Sequence, residues 1–218
     1  MGSVPPAGEP VAPGGRLPAA ALGGVGERPF SLYLHVPFCA TRCGYCDFNT
    51  YIAAELGSAP GSSRDAYLQA VRAELDLAVD VLGEPPVVQT VFFGGGTPTL
   101  LSAAELTGLL AAVRERFEVA PDAEVTTEAN PESVDRAYLD SLVAAGFTRL
   151  SLGMQSSVPH VLAVLERRHT AGRVQEVAGW AREAGFASLS LDLIYGSPGE
   201  TPADWRSSVE AALALRPD

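Results

Sequence analysis

The sequence predicts an α/β protein built on a parallel sheet, and three observations predict it. Five short apolar segments recur along the chain, each rich in Val, Leu, Ile or Phe: Ser31–Val36, Val87–Phe93, Glu124–Glu128, Arg149–Gly153 and Ser188–Ile194. The stretches between them carry apolar stripes of helical period behind recognisable capping residues. No hairpin turn signal repeats between the segments, so crossover connections and parallel pairing follow.

The strands read as parallel strands buried on both faces, since they lack strict polar alternation. Ser62 with Asp65, Ser102 with Glu105, and Thr201 with Asp204 have the spacing of a capping box, and Pro202 suits a first helical turn. Behind the first cap, Leu68, Val71, Leu75, Val79 and Leu82 form one stripe. Behind the second, Leu106, Leu109, Leu110, Val113 and Phe117 form another. Gly146 and Gly185 stand where the third and fourth helices should end. This gives five βα units, with the chain ending just after the fifth helix. Five units do not close an eight-stranded barrel, which leaves an open, curved partial barrel or the front part of a longer protein. In either case ligands are expected at the C-terminal ends of the strands.

With 218 residues, 47% of them hydrophobic, the chain can bury one sizeable core. Residues 29–218 read as that domain. Residues 1–28 are rich in Pro, Gly and Ala and read as a disordered tail without the features of a signal peptide. The formal net charge of −11 argues against a nucleic-acid footprint, and no run of about 18 apolar residues suits a membrane span. All 15 basic residues are Arg. Without lysine the chain cannot supply a Walker lysine, a Schiff base or a covalent pyridoxal phosphate site. Its 3 cysteines are odd in number and clustered, a poor disulfide framework that reads as reduced, ligand-like and cytoplasmic.

Those cysteines follow the first strand as Cys39-Ala-Thr-Arg-Cys43-Gly-Tyr-Cys46. Three thiolates at this C-x3-C-x2-C spacing can hold three corners of a [4Fe–4S] cube and leave the fourth iron open. A zinc knuckle is the alternative, but it needs a fourth ligand, and the nearby His35 lies inside a strand. The second strand runs into Gly94-Gly-Gly-Thr-Pro98, either a flexible turn or a place where backbone must approach a small ligand. Thr127-Glu128-Ala-Asn-Pro131 puts a carboxylate at the third strand end, where a solvated loop acid is the ordinary reading. Gly153-Met-Gln155-Ser156 ends the fourth strand, and Leu165-Glu-Arg167-Arg168-His169 is expected on the helix behind it. Arg167 can pair with a ligand carboxylate or lie on an exposed helix face. Asp192-Leu-Ile-Tyr-Gly196 ends the fifth strand with another acid. Their shared position at strand ends is what joins these signals.

Together, Tyr33-Leu-His35-Val-Pro37-Phe38-Cys39, the cysteine loop and these strand-end motifs resemble the oxygen-independent coproporphyrinogen III oxidase-like group of radical S-adenosylmethionine (SAM) proteins. The resemblance runs from about Phe30 to the end. It implies a partial (β/α)6 radical SAM barrel, here without its sixth βα unit and C-terminal domain, and a [4Fe–4S] cluster on Cys39, Cys43 and Cys46. It further implies SAM contacts at Tyr33, Tyr45, Gly95, Gly96, Thr97, Glu128, Gln155, Arg167 and Asp192, with no residue singled out as catalytic. The oxidase branch carries an extra Cys two residues after the third, a position that here is Phe48. Cys46-Asp-Phe-Asn-Thr-Tyr51 is similar instead to the HemW branch of heme chaperones. That branch implies heme as cofactor, with contacts expected in the C-terminal part, and apo-hemoproteins and an electron donor as partners. A homodimer stays open. Radical oxidative decarboxylation of coproporphyrinogen III is the competing activity.

Overall fold

The computed structural model describes residues 12, 14–56 and 63–218. A single helical turn, α1 (Ala19–Leu22), precedes β1 (Phe30–Val36). Two short strands, β2 (Phe38–Cys39) and β3 (Tyr51–Ile52), bracket the cysteine loop, and α2 (Ala53–Leu56) follows. Then come α3 (Arg64–Leu82), β4 (Val88–Gly95), α4 (Ala103–Arg116), β5 (Val119–Ala129), α5 (Arg136–Ala145) and β6 (Arg149–Gln155). Two helices, α6 (Pro159–Val164) and α7 (Arg173–Ala184), precede β7 (Ser188–Leu193), and α8 (Pro202–Ala214) follows it. The main sheet has five strands in the order β1-β4-β5-β6-β7, every neighbouring pair parallel. The α/β class and the parallel sheet expected from the sequence are therefore what the chain forms.

Local chemistry sets the helix ends. Ser102 and Thr201 each close a reciprocal capping box, with Glu105 and Asp204 respectively. Gly146 and Gly185 end their helices in the left-handed conformation that glycine adopts without a Cβ penalty. Ser62 lies outside the described residues. The cap of α3 is its neighbour Ser63, whose side chain accepts the Ala66 N–H at 3.1 Å. β5 begins five residues earlier than its apolar run indicates, because Val119 already pairs with Val88.

The expectation of burial on both sheet faces holds for β6, buried from Leu150 to Gln155, and needs correcting for β1 and β7, which leave residues exposed. Alternate residues of each strand face opposite ways. One set, including Val91, Phe93, Val125, Leu150, Leu152 and Leu189, packs under the helices as the core. From α4, Leu106, Leu109, Leu110 and Val113 add fully buried side chains, each contributing roughly 1.5–3 kcal/mol. The other set is polar or small: Thr126 and Glu128 on β5, Ser151 and Gly153 on β6, Ser190 and Asp192 on β7. This face buries Thr126, Ser151 and Gly153 and leaves Glu128, Ser190 and Asp192 partly or fully open. It turns the strand ends into a chamber rather than a second hydrophobic layer.

A cavity at the strand ends

The cysteine loop is closed at its base by pairing. Cys39 lies beside Ile52 in the short β2–β3 pair, and Tyr51 N–H donates to Pro37 O at 2.7 Å. From the other side, Gly96 N–H donates to Val36 O at 2.8 Å and Thr97 N–H to Phe38 O at 2.7 Å. His35 fastens the loop's return: its Nε2 donates to Asn49 O at 2.8 Å, which leaves Nδ1 to accept from Tyr33 OH at 3.0 Å. With both ring nitrogens engaged, His35 is not free to act as a fourth zinc ligand. Arg42, within the loop, donates to Thr50 O and to the Glu55 carboxylate. Sequence reasoning passed over Arg42, because its partners lie 8 and 13 residues away.

All three cysteines are half-buried and line one cavity of about 390 Å³. Around it stand Tyr45, Gly95, Gly96, Thr97, Glu128, Gln155, Arg167 and Asp192, eight of the nine expected SAM contacts. Tyr33 does not line it. Its ring stacks on Phe92 at 5.9 Å on the sheet face that also carries Glu128, and a Cβ on Gly94 would meet Tyr33 Cε2 at 3.0 Å and Glu128 Oε2 at 3.1 Å. Thr50, Asn130 and Gly153 also reach the cavity. Asn130 and Gly153 stand inside the quoted motifs, so a motif-wide reading could have included them.

Backbone access explains the glycines. A Cβ on Gly96 would meet Phe38 O at 2.5 Å and Cys39 Sγ at 3.0 Å. Only hydrogen lets the Phe38–Cys39 segment lie against the end of β4. A Cβ on Gly153 would sit 2.8 Å from Gln155 Nε2 and 2.9 Å from Arg167 Nη2, so this glycine makes room for both. Gln155 itself is left-handed at φ 63° and buried, at a register shift in β6, and its carbonyl accepts Ile194 N–H at 2.9 Å.

Arg167 is not on a helix, as expected from the sequence, but just beyond one. α6 stops at Val164, and Glu166 turns left-handed at φ 53°. That turn aims Arg167 into the cavity, where Nη1 donates to Cys43 Sγ at 3.4 Å. Arg168 lines a neighbouring groove, which Arg167 also reaches, and not this cavity. Glu132 holds the far side of the turn, accepting Thr170 N–H at 2.7 Å and Thr170 Oγ1–H at 3.1 Å.

The cavity's charges are perturbed as a set. Burial pushes Glu128 above the usual carboxylate range, opposed by the Gly95 N–H it accepts and assisted by nearby Asp192. Loss of water also pushes Asp192 up, against donation from Ser151, whose hydroxyl lies 3.0 Å from both carboxylate oxygens. Burial pushes the Cys39 thiol up; Thr50 opposes this, and Cys46 and Cys43 add to it. In the neighbouring groove, burial and Arg167 hold His169 down, to about 4.

Residues 33–212 match the radical SAM superfamily. The chain belongs to that superfamily. The heme chaperone HemW of Mycobacterium tuberculosis is 55% identical over 186 residues, 85% of this chain and 47% of the relative. The oxygen-independent coproporphyrinogen III oxidase of Salmonella typhimurium is 35% identical over 192 residues, 88% of this chain and 41% of the relative. The coproporphyrinogen III oxidase (HemN) structure from Escherichia coli superposes with a TM-score of 0.80 at 34% identity, covering 92% of this chain and 46% of that one. This radical SAM protein thus spans about half the length of the curated relatives it matches. No helix among the described residues is long and apolar enough to cross a membrane.

Membership of the superfamily implies a [4Fe–4S] cluster and SAM, and the residues of this radical SAM protein fit both. Its only cysteines stand on one cavity wall, close enough for Cys46 and Cys43 to perturb Cys39. Among the described residues, no three His, Cys, Asp or Glu side chains gather around a point as one metal ion requires. A cube takes each thiolate on a different iron, so its ligands stand further apart than those of a lone zinc. The buried Nε of Arg167 has no hydrogen-bond partner. A buried donor of this kind calls for an acceptor from a ligand.

Proposed function

We propose that this chain is the radical SAM portion of a HemW-type heme chaperone, which binds heme and passes it to apo-hemoproteins. Phe48 carries this reading. It lies two residues past Cys46, where the resemblance to the oxidase branch calls for a further cysteine, and it lines the cavity with 63% of its surface exposed. A phenyl ring offers neither the sulfur chemistry nor the polarity of a cysteine. The greater identity to HemW than to the oxidase, 55% against 35% over similar spans, supports the same choice.

In this reading Cys39, Cys43 and Cys46 hold the cluster, which when bound supplies one electron to the SAM sulfonium. Arg167 takes the SAM carboxylate through its forked donors. Glu128 and Asp192 accept from amino and ribose hydroxyl groups, and Gln155 presents its amide beside them. Gly95, Gly96 and Thr97 would offer backbone groups to the ligand from the end of β4, and Tyr45 would face it from the cysteine loop. Tyr33, on the same sheet face and next to Glu128, borders this set from outside the cavity wall.

The test is an anaerobic assay on the whole gene product, with reductant, SAM and coproporphyrinogen III, run beside a hemin titration and transfer to an apo-hemoprotein. Heme uptake and transfer without conversion to protoporphyrinogen IX is the expected outcome. Robust decarboxylation would overturn the chaperone reading in favour of the oxidase activity.

A further inference from the structure

Arg167 touches the site in a way that recognition of a carboxylate does not require. Its Nη1 donates to Cys43 Sγ at 3.4 Å across 124 residues of sequence, and Gly44 N–H donates to Leu165 O at 3.3 Å beside it. Two tethers therefore dock the middle of the cysteine loop on the turn that follows α6. No ion pair engages Arg167 among the described residues, so its charge is not neutralised by a protein carboxylate in contact.

We propose that Arg167 raises the reduction potential of the cluster through this N–H···S bond to Cys43. This rests on the cluster reading above and adds a role for the guanidinium that SAM recognition leaves open. Reduction places an extra electron on a cluster whose charge is shared with its sulfur ligands. A donor aimed at one of those sulfurs stabilises the electron-rich state more than the oxidised one, and a fixed positive charge does the same. Arg167 supplies both. Other routes for this charge are closed or remote. Arg42, the nearest other cation in the loop, is committed to Thr50 and Glu55. Arg168 lines only the neighbouring groove and does not reach the cavity of the cysteines. Because ligand carboxylate and thiolate sulfur draw on one guanidinium, engagement of SAM offsets part of that positive charge and lowers the potential again.

The measurement is a potentiometric titration of the reconstituted protein, without SAM, followed by electron paramagnetic resonance of the reduced cluster. Arg167→Gln should move the midpoint to more negative potential and Arg167→Lys by less, while Arg168→Gln leaves it in place. Equal midpoints in all of these, with full iron content, would overturn the inference and leave the cluster assignment standing. Failure of the unaltered protein to load iron would sink the cluster reading itself. Should the Arg167 variants not load, electron spin echo modulation on the unaltered protein carrying 15N-arginine decides. Coupling of the reduced cluster to an arginine nitrogen supports the bond, and its absence overturns it.

Discussion

The carboxylate of Glu128 accepts the backbone N–H of Gly95 at 3.1 Å, tying the end of β5 to the end of β4 inside the cavity. Even with that bond, burial holds the carboxyl above its ordinary value of 4.5. A carboxyl with a raised value costs the folded state nothing while both states are protonated, and costs increasingly as pH rises through the folded-state value. The cluster-free Glu128→Gln protein should therefore unfold at higher denaturant than the parent at pH 7, with the gap closing as pH falls toward 4.5. A gap that widens on acidification would mean that the bond to Gly95 outweighs burial. The same substitution should weaken SAM binding to the loaded protein.

The cysteines should act as a unit. Anaerobic reconstitution should yield about four iron and four sulfide per chain, and replacing any one of Cys39, Cys43 or Cys46 by Ala should abolish it. Stoichiometric zinc in the native protein, or iron retained by the triple variant, would contradict the assignment.

Gly96→Ala tests how tightly the cysteine loop seats. The added methyl would stand 2.5 Å from Phe38 O, a backbone atom that cannot swing aside. Overpacking of this kind destabilises by about 1–3 kcal/mol. Urea denaturation should show that loss together with reduced iron retention, since Cys39 Sγ lies 3.0 Å from the same methyl.

Glu166 occupies the left-handed region at φ 53° with an exposed side chain. Such a backbone strains any residue with a Cβ, by roughly 1–2 kcal/mol, and glycine relieves it at some cost in chain entropy. Glu166→Gly should accordingly be neutral or stabilising by up to about 1 kcal/mol in thermal denaturation, whereas Glu166→Val should destabilise.

Arg167→Ala should weaken SAM binding by about 1.5–3 kcal/mol, the range for hydrogen bonds to charged groups, while Arg168→Ala does far less. Titration calorimetry on the cluster-loaded protein separates them. Equal losses would show that the turn at Glu166 does not select between the two.

Much of the fold was legible because its signals are local. The boxes at Ser102 and Thr201, the glycines at 146 and 185 and the five apolar runs each act within a few residues, so no distant partner is needed to read them. Even here adjacency limits the reading. Ser62 and Ser63 offer the same hydroxyl, and the helix begins behind the second.

The site divides in the same way. Sequence by itself determined that three thiols at C-x3-C-x2-C spacing follow a strand, and that acids and glycines gather at strand ends. Only tertiary structure decided which of them share a cavity. Tyr33 shares the sheet face of Glu128 yet stops short of the cavity wall, its ring stacked on Phe92 and its hydroxyl bonded to His35. Arg167 rather than Arg168 reaches Cys43 because Glu166 turns left-handed, a conformation its side chain gives no hint of. Ser151 meets Asp192, and His35 meets Asn49, across 41 and 14 residues. Such pairings depend on strand register and loop closure, which many distant contacts settle jointly and no short stretch of sequence records.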